Sequence, residues 1–377
     1  MAEILNFRGF IKGVSYKAHL TKSLQPYGLD EFNINDARSY GLIRGEESEV
    51  AYSKWVSPKR TRSYPFERIY HTYNAAKLLT VIPVLKDEGK DGGLDKIQYS
   101  TISWMNLSNV YIVLAYYETA EKNHSKKQKD KQKLAKQRFN NEFVKAQIKE
   151  ILSYKQSALH WNKNLFEERF IEIFKRALAS YQMISQKTAV AIHDQKFMQQ
   201  YGELILADFN HFKTTSLKGS LGASRRETLT KHQMEYLCEG AKAQFFIENY
   251  LGGVYYLTAD EVIFEDDKCI IQESKNSTKG FLPSLADILD GLFKLILYAN
   301  LDSLQLGDKA IPFRTRLNVT GSKVIGSIRF PCSESEFEHF LKINQQNLNA
   351  TRREILKSLQ AEALANKNLE IQISRNN

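Results

Sequence analysis

Cysteine is scarce in this chain, and long apolar segments are absent. The 377 residues include three cysteines, Cys238, Cys269 and Cys332, and no two of them have the spacing of a zinc-binding pair. Sparse cysteines without a paired pattern are typical of proteins in a reducing compartment. No run of 18 apolar residues occurs, and the first residues lack the form of a signal peptide. We therefore expect a cytoplasmic protein without a membrane span.

The sequence also lacks internal repeats, a glycine-rich phosphate loop and a cluster of cysteine and histidine that could bind a metal. Positive charge, in contrast, is in excess: 53 Lys and Arg stand against 43 Asp and Glu, which gives a net charge of +10. A basic chain favours a polyanionic partner, and double-stranded DNA is the first candidate.

Residues 258–276 predict a β-hairpin. Two apolar stretches, Val262–Phe264 and Cys269–Ile271, flank an acidic turn at residues 265–268. Each stretch is apolar on both faces, as in a buried strand. Charged residues directly after such a strand lie next to the core, which distinguishes them from ordinary charges on the surface.

The register of this hairpin brings charges together. If Asp266 and Asp267 are the central turn residues, Asp260 lies opposite Glu273. Side chains of a strand alternate between faces, so Glu273 and Lys275 share a face. Cross-strand neighbours have Cβ atoms about 5 Å apart. Two carboxylates and an ammonium group are therefore expected on one patch of the sheet.

Such a patch suits a divalent metal ion and an attacking water molecule. Mg²⁺ prefers oxygen ligands and is commonly held by one or two carboxylates together with phosphate and water. A nearby lysine can orient or deprotonate the water, or neutralise charge that develops on a phosphate. The pattern favours Mg²⁺-dependent attack on a phosphodiester. The alternative is a solvated hairpin whose lysine only pairs with Glu273.

An acid followed by an apolar strand that ends in Glu-x-Lys resembles the PD-(D/E)xK nuclease superfamily, and within it the type II restriction endonucleases. The resemblance implies that Asp260, Glu273 and Lys275 are catalytic, with Asp260 and Glu273 as ligands of Mg²⁺. It also implies an α/β (α+β) fold with a restriction-endonuclease-like core, in which helices flank a mixed central sheet. Ala259 stands where the motif has proline, which leaves Glu261 as a second choice for the first acid.

Segments on either side of the hairpin fit this resemblance. Residues Ala241–Tyr250 predict a helix whose Glu248 could join the site as a further acid. Residues Ser284–Tyr298 predict a second helix, which packs on the sheet. The segments Phe313–Thr320 and Val324–Phe330 alternate like strands and would extend the sheet.

A second arrangement of acids lies earlier in the chain. Asp95 precedes the apolar strand Val110–Tyr117, which continues into Glu118, Glu121 and Lys122. Neither glutamate forms a Glu-x-Lys motif, so this arrangement ranks below the Asp260 site. Its alternative is an ordinary strand in an N-terminal sheet.

Basic segments supply candidate DNA contacts. Lys59, Arg60 and Arg62 lie among aromatic and hydroxyl side chains in a loop with two prolines, a composition that suits a phosphate backbone. Arg225 and Arg226 lie on a polar segment and could contact phosphates or guanine edges. For both segments the alternative is an exposed basic surface.

We predict four regions: an N-terminal α/β extension (1–139), a helical insertion (140–235), a nuclease core (236–335) and a C-terminal helical tail (336–377). The expected activity is that of a bacterial type II site-specific deoxyribonuclease in a restriction-modification system. It would cut as a homodimer, with one active site for each DNA strand, and would depend on a cognate DNA methyltransferase. Two other functions stay open: a repair or structure-specific nuclease of the same superfamily, and a non-catalytic nucleic-acid-binding protein.

Overall fold

The computed structural model describes residues 5–62, 64–125, 131–194, 200, 241–250, 254–265 and 268–376. The chain divides into two compact units, and their boundaries differ from the four predicted regions. The first unit comprises Met1–Ser23, Ile69–Asn74 and Ala223–Asn377, and the second comprises Leu24–Arg68 and Ala75–Gly222. Within the described residues, no helix has the length and apolar character needed to cross a membrane.

Runs of strands are interspersed with helices along the chain. In chain order the strands are β1 (Leu5–Ile11), β2 (Pro26–Gly28), β3 (Tyr40–Arg44), β4 (Glu49–Lys54), β5 (Leu78–Pro83), β6 (Leu85–Asp87), β7 (Leu94–Lys96), β8 (Tyr111–Ala115), β9 (Tyr117–Lys122), β10 (Leu134–Phe139), β11 (Ala241–Asn249), β12 (Val254–Glu265), β13 (Lys268–Ser277), β14 (Ser303–Leu306), β15 (Lys309–Ala310), β16 (Phe313–Gly321), β17 (Ser327–Phe330) and β18 (Leu369–Arg375). The helices are α1 (Pro65–Tyr70), α2 (Tyr99–Leu107), α3 (Asn141–Ser153), α4 (Ala158–Asn164), α5 (Phe170–Thr188), α6 (Leu285–Ala299), α7 (Glu334–Ile343) and α8 (Ala350–Ala365).

The first unit is built on a mixed sheet of nine strands, in the order β15-β14-β1-β11-β12-β13-β16-β18-β17. The pairs β1–β11, β13–β16 and β16–β18 are parallel, and the other pairs are antiparallel. This arrangement confirms the predicted mixed α/β class with a mixed sheet. The first and last strands of the chain both belong to it, so the sheet is assembled from distant parts of the sequence.

The prediction of a helix over Ala241–Tyr250 is wrong, because β11 occupies this segment and pairs with β1 and β12. Its side chains alternate with a period of two: Ala243, Phe245 and Ile247 are buried, whereas Glu248 is exposed. An alternating pattern fits a strand with one face in the core. The ring of Phe245 stacks on that of Phe7 in β1, with 5.0 Å between the ring centroids.

The two segments predicted to extend the sheet form β16 and β17, and both lie in it. They are not neighbours, because the C-terminal strand β18 pairs with β16 on one side and with β17 on the other. Such an insertion is a long-range pairing that no local turn signal encodes.

The predicted hairpin forms from β12 and β13, and its register is confirmed over five described pairs, from Glu261 opposite Gln272 to Glu265 opposite Lys268. The two central turn residues lie outside the described part. Cys269, Ile270 and Ile271 are all buried, as expected for an interior strand between β12 and β16.

The predicted helix after the hairpin is confirmed as α6. Its N-cap is Ser284, whose hydroxyl accepts a hydrogen bond from the backbone N–H of Asp287 at 3.2 Å. The helix buries most of its apolar side chains, among them Leu289 and Leu292. Tyr298 contacts Phe245 with ring centroids 5.0 Å apart, so α6 covers the face of the sheet to which Phe245 points.

The second unit contains a five-stranded sheet with the order β2-β3-β4-β5-β8. The strands β4, β5 and β8 run parallel to one another. Helices α3, α4 and α5 occupy the described part of the predicted helical insertion. Two short hairpins, β6–β7 and β9–β10, follow the ends of β5 and β8.

Candidate active site

The candidate site lies where β13 emerges from the core of the first unit. Glu273 and Lys275 are two residues apart on this strand, so both point to the face covered by α6. Glu273 is buried, with 3% of its surface exposed. The hairpin sequence therefore places a buried acid and a half-buried lysine on one side of the sheet.

Two charged side chains of α6 complete the cluster. Lys275 Nζ lies 3.1 Å from Glu273 Oε1 and 3.0 Å from Asp290 Oδ2. Lys294 donates a hydrogen bond to the same Glu273 oxygen. Asp290 and Lys294 are four residues apart, so they lie on one side of the helix. The charge cluster formed by Glu273, Lys275, Asp290 and Lys294 has no net formal charge.

The pairing fixes the protonation state of Lys275. Burial alone would lower the pKa of its ammonium group, but the carboxylates of Glu273 and Asp290 outweigh burial and raise that pKa above its ordinary value. Lys275 is therefore protonated at neutral pH. In this state it can stabilise negative charge or orient a water molecule, but it cannot take a proton from one.

The first acid of the predicted motif falls at an irregularity of β12. In the β11–β12 pairing, Ala243 lies opposite Ala259 and Ala241 lies opposite Val262, so the register shifts at the stretch that contains Asp260 and Glu261. A shift of this kind is a β-bulge, which redirects side chains and often occurs beside active sites. The side chain of Asp260 lies outside the described part.

The competing first acid, Glu261, lies on the other face of the sheet from Glu273. It stands opposite Gln272, whose Nε2 donates a hydrogen bond to its carboxylate at 2.5 Å. Because Gln272 and Glu273 are consecutive on β13, they point to opposite faces. In this arrangement Glu261 cannot reach the charge cluster.

A glycine allows α6 to approach this strand closely. A Cβ atom at Gly291 would lie 2.7 Å from Leu317 Cδ1 and 3.0 Å from Lys275 Cε. The absence of a side chain here thus lets the stem of Lys275 pass against the helix. Asp290, the neighbour of Gly291 in sequence, then reaches the Lys275 ammonium.

The other predicted site residues are not brought into this cluster. Glu248 is exposed on β11. In the second unit, Arg62 Nη1 lies 3.0 Å from Glu88 and Arg62 Nε lies 3.2 Å from Asp95, so its charge is matched by acids. Lys59 is exposed, and Arg60 lies over the ring of Phe66 at 5.3 Å. Arg225 and Arg226 lie outside the described residues.

The rival arrangement around Asp95 does not form a site with its predicted partners. Asp95 is buried on β7, where it accepts a hydrogen bond from Ser57 Oγ at 2.7 Å. Glu118 accepts a hydrogen bond from Asn140, and Glu121 pairs with Lys136 at 2.9 Å. Each acid therefore has its own partner.

Asp290 and Lys294 belong to the charge cluster but are not predicted as site residues from the sequence. The available signal is a pair of opposite charges four residues apart within a mostly apolar helix. A helix that is apolar nearly all round is buried, so charges within it need partners. The identity of those partners follows only from the packing of α6 on β13.

The carboxylates of the cluster do not by themselves fit Mg²⁺. Both Glu273 and Asp290 are already matched by ammonium groups. Among the residues that the structure describes, no group of three or more His, Cys, Asp or Glu side chains is arranged to hold a metal ion. A complete set of ligands needs a further acid, for which the sequence offers Asp260.

Comparison with protein-family models, with curated proteins and with solved structures finds no match to this chain.

Proposed function

We propose that this chain is a type II restriction endonuclease that hydrolyses phosphodiester bonds of duplex DNA at a specific sequence with the help of Mg²⁺. The observation that supports the proposal is the pairing of the buried Glu273 with the half-buried Lys275 at the exit of an apolar strand, where Asp290 and Lys294 contact them. Glu273 is buried and the other three charged groups are partly withdrawn from solvent. Such an arrangement is costly, and perturbed ionisable groups cluster at functional sites. The proposed core is restriction-endonuclease-like and is formed by β11, β12, β13, β16 and α6.

Each residue has a proposed task that follows from its chemistry. Asp260 and Glu273 would hold the metal ion, which supplies charge stabilisation and an activated water when bound. Lys275, as an ammonium group, would stabilise the negative charge that develops on the attacked phosphate. Lys294 and Asp290 would position Glu273 and Lys275. Because Lys275 is already protonated, a group other than Lys275 would remove the proton from the attacking water.

The remaining elements of the proposal concern partners. The net charge of +10 supports a polyanionic substrate. A symmetric recognition sequence would be cut by a homodimer, and the host genome would be protected by a cognate DNA methyltransferase. Lys59 and Arg60 stay candidates for phosphate contact. Arg62 would have to leave its acidic partners to bind DNA.

Incubation of plasmid DNA with the protein and Mg²⁺, with EDTA as the control, tests the proposal. Discrete fragments that disappear with EDTA are the expected result. A smear would favour a repair or structure-specific nuclease of the same superfamily. If the protein cleaves DNA neither with Mg²⁺ nor with Mn²⁺, the nuclease proposal is excluded.

Variants of the site make the test specific. Asp260→Ala and Lys275→Ala should each lower the cleavage rate by about a hundredfold or more, while DNA binding measured by gel shift is retained. Glu261→Gln is the matched control, because it alters the adjacent acid on the opposite face. Wild-type cleavage by either alanine variant would remove that residue from the site.

One observation favours a non-catalytic nucleic-acid-binding protein as the second candidate. The two acids and two lysines of the charge cluster already neutralise one another, as in a structural ion-pair network. On that reading, the gel shift persists in wild type and in all site variants, and no cleavage occurs.

A further inference from the structure

A separate pocket lies wholly within the second unit. Its volume is about 280 Å³, and its lining includes Lys54, Lys86, Glu88, Tyr117 and Phe139. Lys54 is the last residue of β4, Lys86 lies on β6 just after β5, and Tyr117 begins β9 just after β8. The pocket therefore opens at the carboxyl ends of the three parallel strands.

This position is where open α/β sheets bind ligands. Loops that leave neighbouring parallel strands at the same edge form a crevice there. The volume lies just below the usual range for ligand pockets, roughly 300–1,000 Å³. A small molecule or a single nucleotide fits such a space, whereas a duplex does not.

Positive charge predominates around the pocket. Lys54, Lys86 and Lys136 line it, whereas Glu88 is its one acidic lining residue among those described. Glu88 is paired with Lys86, at 3.2 Å, and with Arg62 outside the pocket. Lys136 is paired with Glu121 at 2.9 Å. The excess of positive charge in the lining therefore rests on Lys54 and on Lys86, which shares Glu88 with Arg62.

Among these cations, Lys54 has an ammonium group whose position is fixed by the backbone. Its ammonium donates hydrogen bonds to the backbone carbonyls of Ile34 at 2.7 Å and Ala37 at 2.6 Å. An ammonium group has three donors, so these carbonyls fix its position and use two of them. Burial, together with the nearby Arg68, lowers the pKa of Lys54 to about 8. An anion at this point would stabilise the charged form.

One wall of the pocket is aromatic. The rings of Tyr117 and Phe139 are stacked with centroids 4.4 Å apart and an angle of 14°. The Tyr117 hydroxyl donates to the Val56 carbonyl at 2.8 Å, which holds the ring in place. The wall offers an apolar surface for the organic part of a ligand beside the lysines.

We propose that this pocket is a second binding site, which takes a small phosphate-bearing ligand of nucleotide size. Lys54 and Lys86 bind the phosphate, and the Tyr117–Phe139 wall contacts the organic part. The phosphate belongs either to a free nucleotide or to a single nucleotide of a DNA strand, and the two sources share the same chemistry.

Calorimetric titration of the full chain with dAMP, and separately with inorganic phosphate, tests the proposal without any metal ion. We expect one dAMP to bind per chain, and Lys54→Met and Lys86→Met each to weaken binding by about tenfold to a hundredfold. Thermal unfolding identifies any variant that fails to fold, and Lys86→Met keeps the test decisive if Lys54→Met does so.

The matched control is Lys77→Met. The Lys77 ammonium also donates to backbone carbonyls, those of Ile151, Leu152 and Tyr154, and its pKa is also lowered by burial. It precedes β5 and so lies at the opposite end of the parallel strands. This variant should bind dAMP like wild type.

A second titration, with a single-stranded oligonucleotide, distinguishes the two sources. If dAMP does not bind but both pocket variants weaken oligonucleotide binding relative to Lys77→Met, the site is supported and its phosphate comes from DNA. If dAMP and phosphate fail to bind and the pocket variants leave oligonucleotide affinity unchanged, the proposal is overturned. Because no cleavage is measured, this result is independent of nuclease activity.

Discussion

At the scale of single residues, pairing decides the charge state of the buried groups. Lys275 keeps its proton because two carboxylates contact it, despite the cost of burial. Glu362 on α8 shows the opposite case, since it is completely buried and its partners are neutral. The Tyr16 and Tyr70 hydroxyls each donate to it at 2.5 Å, and the His19 backbone N–H donates at 3.0 Å.

Glu362 should make stability depend on pH. Burial raises its pKa from 4.5 to about 6. A carboxyl whose pKa is higher in the folded state contributes stability below the unfolded pKa, and that contribution is lost as pH rises through the folded value. Between about pH 4 and pH 7.5, the free energy of unfolding of wild type should fall by about 2 kcal/mol relative to Glu362→Gln.

Urea unfolding of both proteins across this pH range measures the difference. Glu354→Gln is the control, because it removes an exposed carboxylate from the same helix. A constant difference between wild type and Glu362→Gln would show that the Glu362 carboxyl has no raised pKa.

At the scale of elements, the contact between α6 and β13 creates the charge cluster. The sequence predicts both elements, because two apolar stretches flank an acidic turn in the hairpin and a long, mostly apolar segment follows Ser284 in α6. It does not predict their separation. That separation depends on Gly291, where a Cβ atom would meet Leu317 and the Lys275 stem.

Gly291→Ala should therefore loosen the site. Alanine is favoured over glycine in a helix interior by up to about 1 kcal/mol, whereas overpacking costs about 1–3 kcal/mol. We expect a net loss of about 1 kcal/mol in the free energy of unfolding, with a displaced Lys275 and slower cleavage. Urea unfolding and the plasmid assay measure the two effects.

Gly13→Ala is the matched control in the same unit, since a Cβ atom there would meet no atom within 4 Å. It should leave both quantities close to wild type. If Gly291→Ala is more stable than wild type, helix propensity outweighs the contact, and the packing argument fails.

One element was predicted with the wrong type, because its local sequence favours a helix. The segment at Ala241–Asn249 contains good helix formers, which favour the predicted helix, but it becomes β11 because two partner strands satisfy its backbone and its alternate side chains enter the core. Tertiary pairing thus overrides local propensity. Glu248, the candidate further acid on the predicted helix, is exposed for the same reason.

At the scale of the whole molecule, the first unit is closed by strands from both ends of the chain. The predicted N-terminal extension includes β1, which lies between β14 and β11 in the nine-stranded sheet. Phe7 and Ile11 on this strand are buried. The N-terminal residues are therefore part of the fold of the candidate nuclease core.

Deletion of residues 1–11 should unfold the first unit. Loss of one buried aromatic and one buried aliphatic side chain costs about 5 kcal/mol or more, which is comparable with the whole stability of many domains, about 5–15 kcal/mol. Circular dichroism and thermal unfolding should show a lost or strongly lowered transition. Deletion of residues 1–4, which precede β1, is the control, and an unchanged Tm after the longer deletion would refute the expectation.

The sequence by itself determined the local features of this protein. Two apolar stretches and the acidic turn between them define the β12–β13 hairpin and its register, and the mostly apolar segment after Ser284 defines α6. The Glu-x-Lys spacing places Glu273 and Lys275 on one face, because strand geometry has a fixed period of two.

Only the tertiary structure decided which distant residues meet. Packing of α6 on β13 supplies the partners Asp290 and Lys294, and the pairing of β12 with β13 excludes Glu261 from the cluster. The insertion of β1 and β18 into one sheet likewise depends on pairings between segments far apart in the chain. Those pairings arise from the burial of many apolar side chains at once. That collective free energy is not contained in any short stretch of sequence.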